Sequence, residues 1–172
     1  MSTDDRSPRR EARGRTGTPA PDRLKPERPR DELGRPQPWD AENRLEMPDF
    51  DRHSVEENHR LGIRLFEQRR YFPAHEAWET AWKQARGTDD AEFFKGLSQL
   101  GAGYVHLLRG NRHGAMTLMR RAASRISRYP EGHRGIASGA LAARALADAD
   151  AVEQGRLQPG EQAAVTPPAL QS

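Results

Sequence analysis

Residues 54–85, SVEENHRLGIRLFEQRRYFPAHEAWETAWKQA, decide the fold. Ser54-Val55-Glu56-Glu57 has the form of a capping box, in which the serine hydroxyl takes the Glu57 amide and the glutamate reaches back to the serine amide. Leu61, Leu65 and Phe66 then recur at helical spacing, with Gly62 beside them. The pattern stops near Arg69, and Pro73 suits the first turn of a second helix, where a missing N–H costs nothing. That second helix carries Ala74, Trp78, Ala81, Trp82 and Ala85 on one face, and Gly87 ends it.

Two more helices follow with the same grammar. Asp89 or Asp90 can cap a third, in which Phe93, Leu97, Leu100, Tyr104, Leu107 and Leu108 form a broad apolar stripe. Gly110-Asn111 breaks it. A fourth spans about 112–128, with Ala115, Leu118, Met119, Ala122 and Ile126 facing inward. A shift of 41 residues lays Gly62 on Gly103, Ala74 on Ala115, Trp78 on Met119 and Ala81 on Ala122. Small residues at these places let antiparallel helices approach, and a large side chain fills the space between them. The order of small and large residues is that of a tetratricopeptide hairpin. Two hairpins are too few for an open solenoid. An Ala-rich fifth helix, about 136–154, is therefore expected to cover the remaining edge. The expected fold is all-α: two tetratricopeptide-like hairpins and a C-terminal helix closing a compact bundle.

Composition sets the limits of that domain. Residues 1–50 hold eight of the thirteen prolines and few apolar side chains, among them Trp39 and Phe50. Such a segment buries too little surface to offset its ordering entropy. The expected organisation is a disordered tail over 1–50, a helical domain over 51–155 and a second disordered tail over 156–172. The pI near 9.7 invites a nucleic-acid reading. Yet residues 1–50 carry eleven basic and eleven acidic side chains and so have no net charge. Only 93–130, with seven basic residues and no acidic one, suggests a basic surface, and a solvated helix face is the favoured explanation of it. The chain has no cysteine, no apolar run of membrane-spanning length and no secretory h-region at MSTDDRSPRR. A soluble, cytoplasmic protein is expected, with no membrane contact.

The most specific stretch is His75-Glu76-Ala77-Trp78-Glu79-Thr80-Ala81-Trp82, an H-x-x-x-E-x-x-W pattern whose positions 75, 79 and 82 project from one side of a helix. Taken with Gly96-Leu97-Ser98-Gln99-Leu100 and Arg109-Gly110-Asn111, it resembles the bacterial and archaeal domain of unknown function 309 family, over about 55–128. The resemblance implies a metal-binding role for His75, Glu79 and Trp82.

The residues themselves leave that role open. His75 and Glu79, at i and i+4, can supply two ligands to a divalent metal, whereas a zinc site needs at least three from the protein. Gln99 and His106, on the polar side of the third helix, are the candidates for completing the set, and Lys95 on the same side opposes a cation. A satisfied structural polar cluster is the favoured reading, ahead of a metal site and of a pocket for a small ligand or partner. His75 falls on Met116 in the repeat, which marks a packing position, and Glu79 can pair with Lys83 in solvent. Trp78 and Trp82 read as core aromatics, while His53, His59, His113 and His133 read as surface residues.

No Gly-rich phosphate loop, no G-x-S-x-G and no arginines interleaved with aromatics are present. Three functional readings remain. A non-catalytic domain that binds a peptide, a protein or a small ligand is favoured. A metal-binding protein or metal-dependent enzyme built on His75 and Glu79 is the alternative. A nucleic-acid accessory protein using the basic fourth helix comes last.

Overall fold

The structure is a computed structural model, and it describes residues 27–161, 163 and 165–171. Five α-helices follow a single 3-10 turn at Phe50–Arg52: α1 Val55–Glu67, α2 Tyr71–Gln84, α3 Ala91–Leu108, α4 Arg112–Ile126 and α5 Ser138–Glu153. No strand occurs among the described residues, and no helix there is long and apolar enough to cross a membrane. The capping box at Ser54 forms in both directions, with Glu57 N–H on Ser54 Oγ at 3.3 Å and Ser54 N–H on Glu57 Oε2 at 2.8 Å. Asp90 takes the N-cap position of α3 but makes no capping bond. Its carboxylate is held instead by His133 at 2.7 Å and by Arg134.

Consecutive helices run antiparallel. Asn58 of α1 bonds Gln84 at the far end of α2, and Gly62 lies against Trp78 midway. The odd helices also meet through side chains. His59 and Phe66 of α1 set their rings edge-on to Phe94 and Tyr104 of α3, at 5.4 Å in both cases, and the Tyr104 hydroxyl donates to Asp148 of α5 at 2.5 Å. The result is two layers, α1, α3 and α5 in one and α2 and α4 in the other.

The repeat is physical. A Cβ on Gly62 would stand 2.5 Å from the Trp78 ring, and a Cβ on Gly103 would stand 2.9 Å from Met119 Cγ. These are the two glycine–large residue pairs that the 41-residue shift superimposes. A Cβ on Gly101 would stand 3.1 Å from the backbone of His75, and one on Gly96 would stand 3.0 Å from Arg125 Cβ.

Trp78 is fully buried, and its indole N–H donates to His59 Nδ1 at 3.2 Å. Because Nδ1 accepts, the proton of the neutral ring sits on Nε2 and is donated to the Arg134 carbonyl at 2.9 Å. His59 is therefore a core histidine and not the surface residue expected. Its burial pushes its pKa below the ordinary histidine value, against the opposing effect of the Arg134 carbonyl. The bond also fastens the α4–α5 connection onto α1.

The helical core extends past the expected boundaries at 51 and 155. On the N-terminal side Leu45 and Phe50 are buried, Leu33 packs against the core, and Arg109 Nε donates to the Leu33 carbonyl at 3.0 Å. On the C-terminal side Ala163, Val165 and Leu170 are buried. Leu170 accepts from Ala137 N–H at 2.8 Å, and Thr166 accepts from Arg144 at 2.7 Å. An alanine-rich α5 leaves shallow space along its side, and these scattered apolar residues fill it. Of the tails assigned to 1–50 and 156–172, residues 1–26, 162, 164 and 172 lie outside the described residues.

Three outcomes follow from this packing. Gly62→Ala gains about 1 kcal/mol of helix propensity but overpacks the Trp78 seam at a cost of about 1–3 kcal/mol, so urea denaturation is expected to show a net loss. A neutral or stabilised variant would contradict the contact. Trp78→Ala is expected to lose about 3–5 kcal/mol in the same measurement. The third concerns pH. His59 has a depressed pKa when folded, so below about pH 6.5 the unfolded chain binds the extra proton first and stability falls with acidification. Thermal melts between pH 8 and pH 5 should fall less steeply for His59→Gln than for the parent chain. Parallel pH profiles would remove His59 from the account.

Candidate functional site

The α2–α3–α4 side of the bundle gathers the polar residues that the helical pattern singles out. α2 and α4 both pack on α3, and a strip of α3 consisting of Lys95, Gln99, Ala102 and His106 remains half-buried between them. These positions repeat at three and four residues, so they share one helix face.

On the α2 wall, His75 is held by the other helix. Its Nδ1 lies 3.0 Å from the Ser98 carbonyl and 2.9 Å from Ser98 Oγ. A carbonyl oxygen only accepts, so Nδ1 carries the proton, and Nε2 is the free nitrogen of the neutral ring. Nε2 faces Glu79 Oε2 at 3.3 Å and Glu76 Oε1 at 3.5 Å. One ligand atom from each of His75, Glu76 and Glu79 lies within 4.8 Å of the others, and all three residues are half-buried. A lone pair facing two carboxylates is a repulsive arrangement until a proton or a cation enters it. The other Glu79 oxygen takes Lys83 Nζ at 2.7 Å, the solvent pair that the i, i+4 spacing predicts.

Gln99 and His106 do not complete this set. Gln99 Oε1 accepts from Arg125 of α4 at 3.1 Å, and the same guanidinium pairs with Glu92 at 2.9 Å. His106 Nδ1 accepts from Asn111 Nδ2 at 2.9 Å, and its ring lies against Gly114, where a Cβ would stand 2.6 Å away. Both side chains are turned toward α4 because glycines at 96 and 114 draw that helix close. Burial lowers the His106 pKa, as do the neighbouring Arg109 and His75 to a smaller extent. The third donor beside His75 and Glu79 is Glu76. Its place next to His75 in the chain was the available signal, one that the i, i+4 pattern passes over.

Trp82 is half-buried and not a core residue like Trp78. One side packs on the core, while Lys95 Nζ and the Arg86 guanidinium lie 4.9 and 5.6 Å from its ring. Lys95, expected to oppose a cation at His75, is thus placed at the other end of α2. Two arginines of the basic fourth helix, Arg120 and Arg125, are matched by acids beyond the window that suggested it. Arg120 reaches Asp150 at 2.9 Å and Glu153 at 2.6 Å on α5, Arg125 reaches Glu92, and Arg112 binds backbone carbonyls at the end of α5.

No curated protein and no solved structure matches this chain. The model of the family described as Domain of unknown function (DUF309) matches residues 59–118. That span runs from His59 in α1 to Leu118 in α4 and contains the Gly62–Trp78 seam, Gly103 of the second seam, the His75–Trp82 motif and the polar strip of α3. Over these 60 residues the chain is similar to the domain of unknown function 309 family.

Proposed function

We propose that the domain is a non-catalytic binding module whose groove, floored by α3 and walled by α2 and α4, takes an extended segment of a protein partner. The observation that carries this reading is the half-buried strip Lys95, Gln99, Ala102 and His106, open between two helices that do not cover it. Such a strip offers mixed polar recognition: a histidine–carboxylate cluster on the α2 wall, and Trp82 with Lys95 and Arg125 toward the other end. A partner segment of mixed charge, with an aromatic or aliphatic anchor, suits that lining. A cysteine-free chain is in keeping with a cytoplasmic setting.

The test is selection of peptides against the intact chain, followed by affinity measurement on variants. Ala102→Arg fills the groove floor without entering the core, and Leu146→Arg alters an exposed position on α5. Selected peptides should bind the parent chain and Leu146→Arg alike and lose about tenfold or more on Ala102→Arg, a change of about 1.4 kcal/mol. Equal binding to all three proteins would contradict the groove reading.

The donor triangle supports a second reading, a divalent cation held by His75, Glu76 and Glu79. The residues fit such an ion. Three protein ligands are the minimum for zinc, and a ligating histidine characteristically donates its other N–H to a carbonyl, as His75 does to Ser98. A bound ion would supply Lewis-acid character, with Lys83 left on the other Glu79 oxygen. Calorimetric titration of untagged protein with zinc should give one site, lost in His75→Ala and weakened in Glu79→Gln. Absence of saturable heat in the parent chain would end this reading and leave the groove reading standing.

A further inference from the structure

A second cavity lies away from this groove, between the N-terminal segment and the α1–α2 corner. It is a cleft of about 940 Å³, and none of His75, Trp82, Lys95, Gln99 or His106 lines it. That size is within the range of small-molecule sites. Leu33, Leu45, Pro73 and Leu108 give it an apolar floor, and charged side chains rim it. Most of those charges cancel. Asp31 holds Arg35 at 2.6 Å and accepts the Leu33 and Arg35 amides, and Arg35 also pairs with Glu161. Arg70 donates to the Glu46 carbonyl at 2.9 Å and lies 3.8 Å from its carboxylate. Glu32 is an exposed acid at the rim. Arg44 and Arg69 line the cleft with no carboxylate partner among the described residues.

Arg69 stands where its backbone favours another residue. It ends α1 in the left-handed region at φ 62°, with Arg70 N–H on the Leu65 carbonyl and its own N–H on Phe66. This is the hydrogen-bond pattern of a Schellman corner, whose left-handed position prefers glycine. The same chain supplies two controls. α3 ends in the same pattern with Gly110 at φ 77°, the residue that the 41-residue repeat lays on Arg69, and α5 ends in it with Gly155 at φ 73°. Only at the corner facing the cleft does an arginine replace the glycine. Strain retained at one copy of a repeated motif points to a use for the side chain.

We propose that this cleft binds a small organic phosphate, its anionic head held by Arg44 and Arg69 and its apolar body resting on Leu33, Leu45 and Leu108. The lining is neutral overall, with four arginines and four carboxylates, but Arg44 and Arg69 are its guanidiniums without a carboxylate of their own among the described residues; two such groups suit a dianion better than a monocarboxylate, and a phosphate monoester carries about 1.5–2 negative charges at neutral pH.

The test is calorimetry of the full chain with phenyl phosphate, inorganic phosphate and benzoate. Phenyl phosphate should bind most tightly, with inorganic phosphate weaker for want of the apolar contact and benzoate weaker for want of the second charge. Arg44→Gln and Arg69→Gly should each weaken phenyl phosphate by about tenfold or more, the loss of one charge-assisted bond. Arg69→Gly relieves the corner but also removes the guanidinium beside the buried Tyr71 hydroxyl, so it is read alongside Arg44→Gln, which leaves the corner untouched and should melt as the parent chain does. Arg128→Gln, an exposed arginine away from the cleft, should leave affinity unchanged. Absence of saturable binding, equal affinity for benzoate, unchanged affinity in both cleft variants, or an equal loss in Arg128→Gln would each overturn the proposal.

Discussion

The close approach of helices at glycine is the constraint on which this structure depends. At the Gly62–Trp78 seam a missing Cβ makes room for the largest side chain in the core, and Gly103–Met119 repeats the device one hairpin later. Because the indole occupies that slot, its N–H must find a partner inside the protein, and His59 supplies it. His59 in turn reaches the Arg134 carbonyl, so one chain of contacts links α2, α1 and the connection into α5. A buried neutral histidine that accepts on one nitrogen and donates on the other is satisfied only while all three elements are docked.

The outer face inherits its shape from the same seams. Gly101 sets α3 against the backbone of His75, which lets the imidazole reach the Ser98 carbonyl and aims Nε2 at Glu76 and Glu79. Gly96 and Gly114 set α4 close to the other flank, and that proximity turns Gln99 and His106 toward Arg125 and Asn111. The strip between the flanks is left open because α2 and α4 each pack on α3 rather than on one another. Site and core therefore share the same determinants, the small residues that set the spacing between helices.

Much of this was legible in the sequence because it is periodic. The capping box, the helix ends at glycine and the superposition of Gly62 on Gly103 depend only on local spacing. His59 was legible too, since it lies three residues before Gly62 and seven before Phe66 on the inward stripe. Treating it as an isolated polar residue hid its place. The orientation of Gln99 and His106 was not accessible in the same way. A helical wheel places them on the polar face of α3 but does not say which neighbour approaches more closely. The packed segments outside 51–155 escaped notice for a different reason. Leu33, Leu45, Val165 and Leu170 stand alone in polar, proline-rich surroundings, and they are buried only because an alanine-rich helix and the bundle edge leave space for them. The matching of Arg120 by Asp150 and Glu153 likewise crosses from one helix to another that composition windows treat separately.

The Trp78 indole is locked between Gly62 and His59 and opens only when the helices part. Hydrogen exchange of the three tryptophan indole protons, assigned by single Trp→Phe substitutions, tests it directly. Trp78 should exchange only through global unfolding, with a free energy equal to that from denaturant melts, while half-buried Trp82 and the 64% exposed Trp39 exchange far faster. Exchange of Trp78 on the timescale of Trp82 would contradict the lock and the two-layer packing that rests on it.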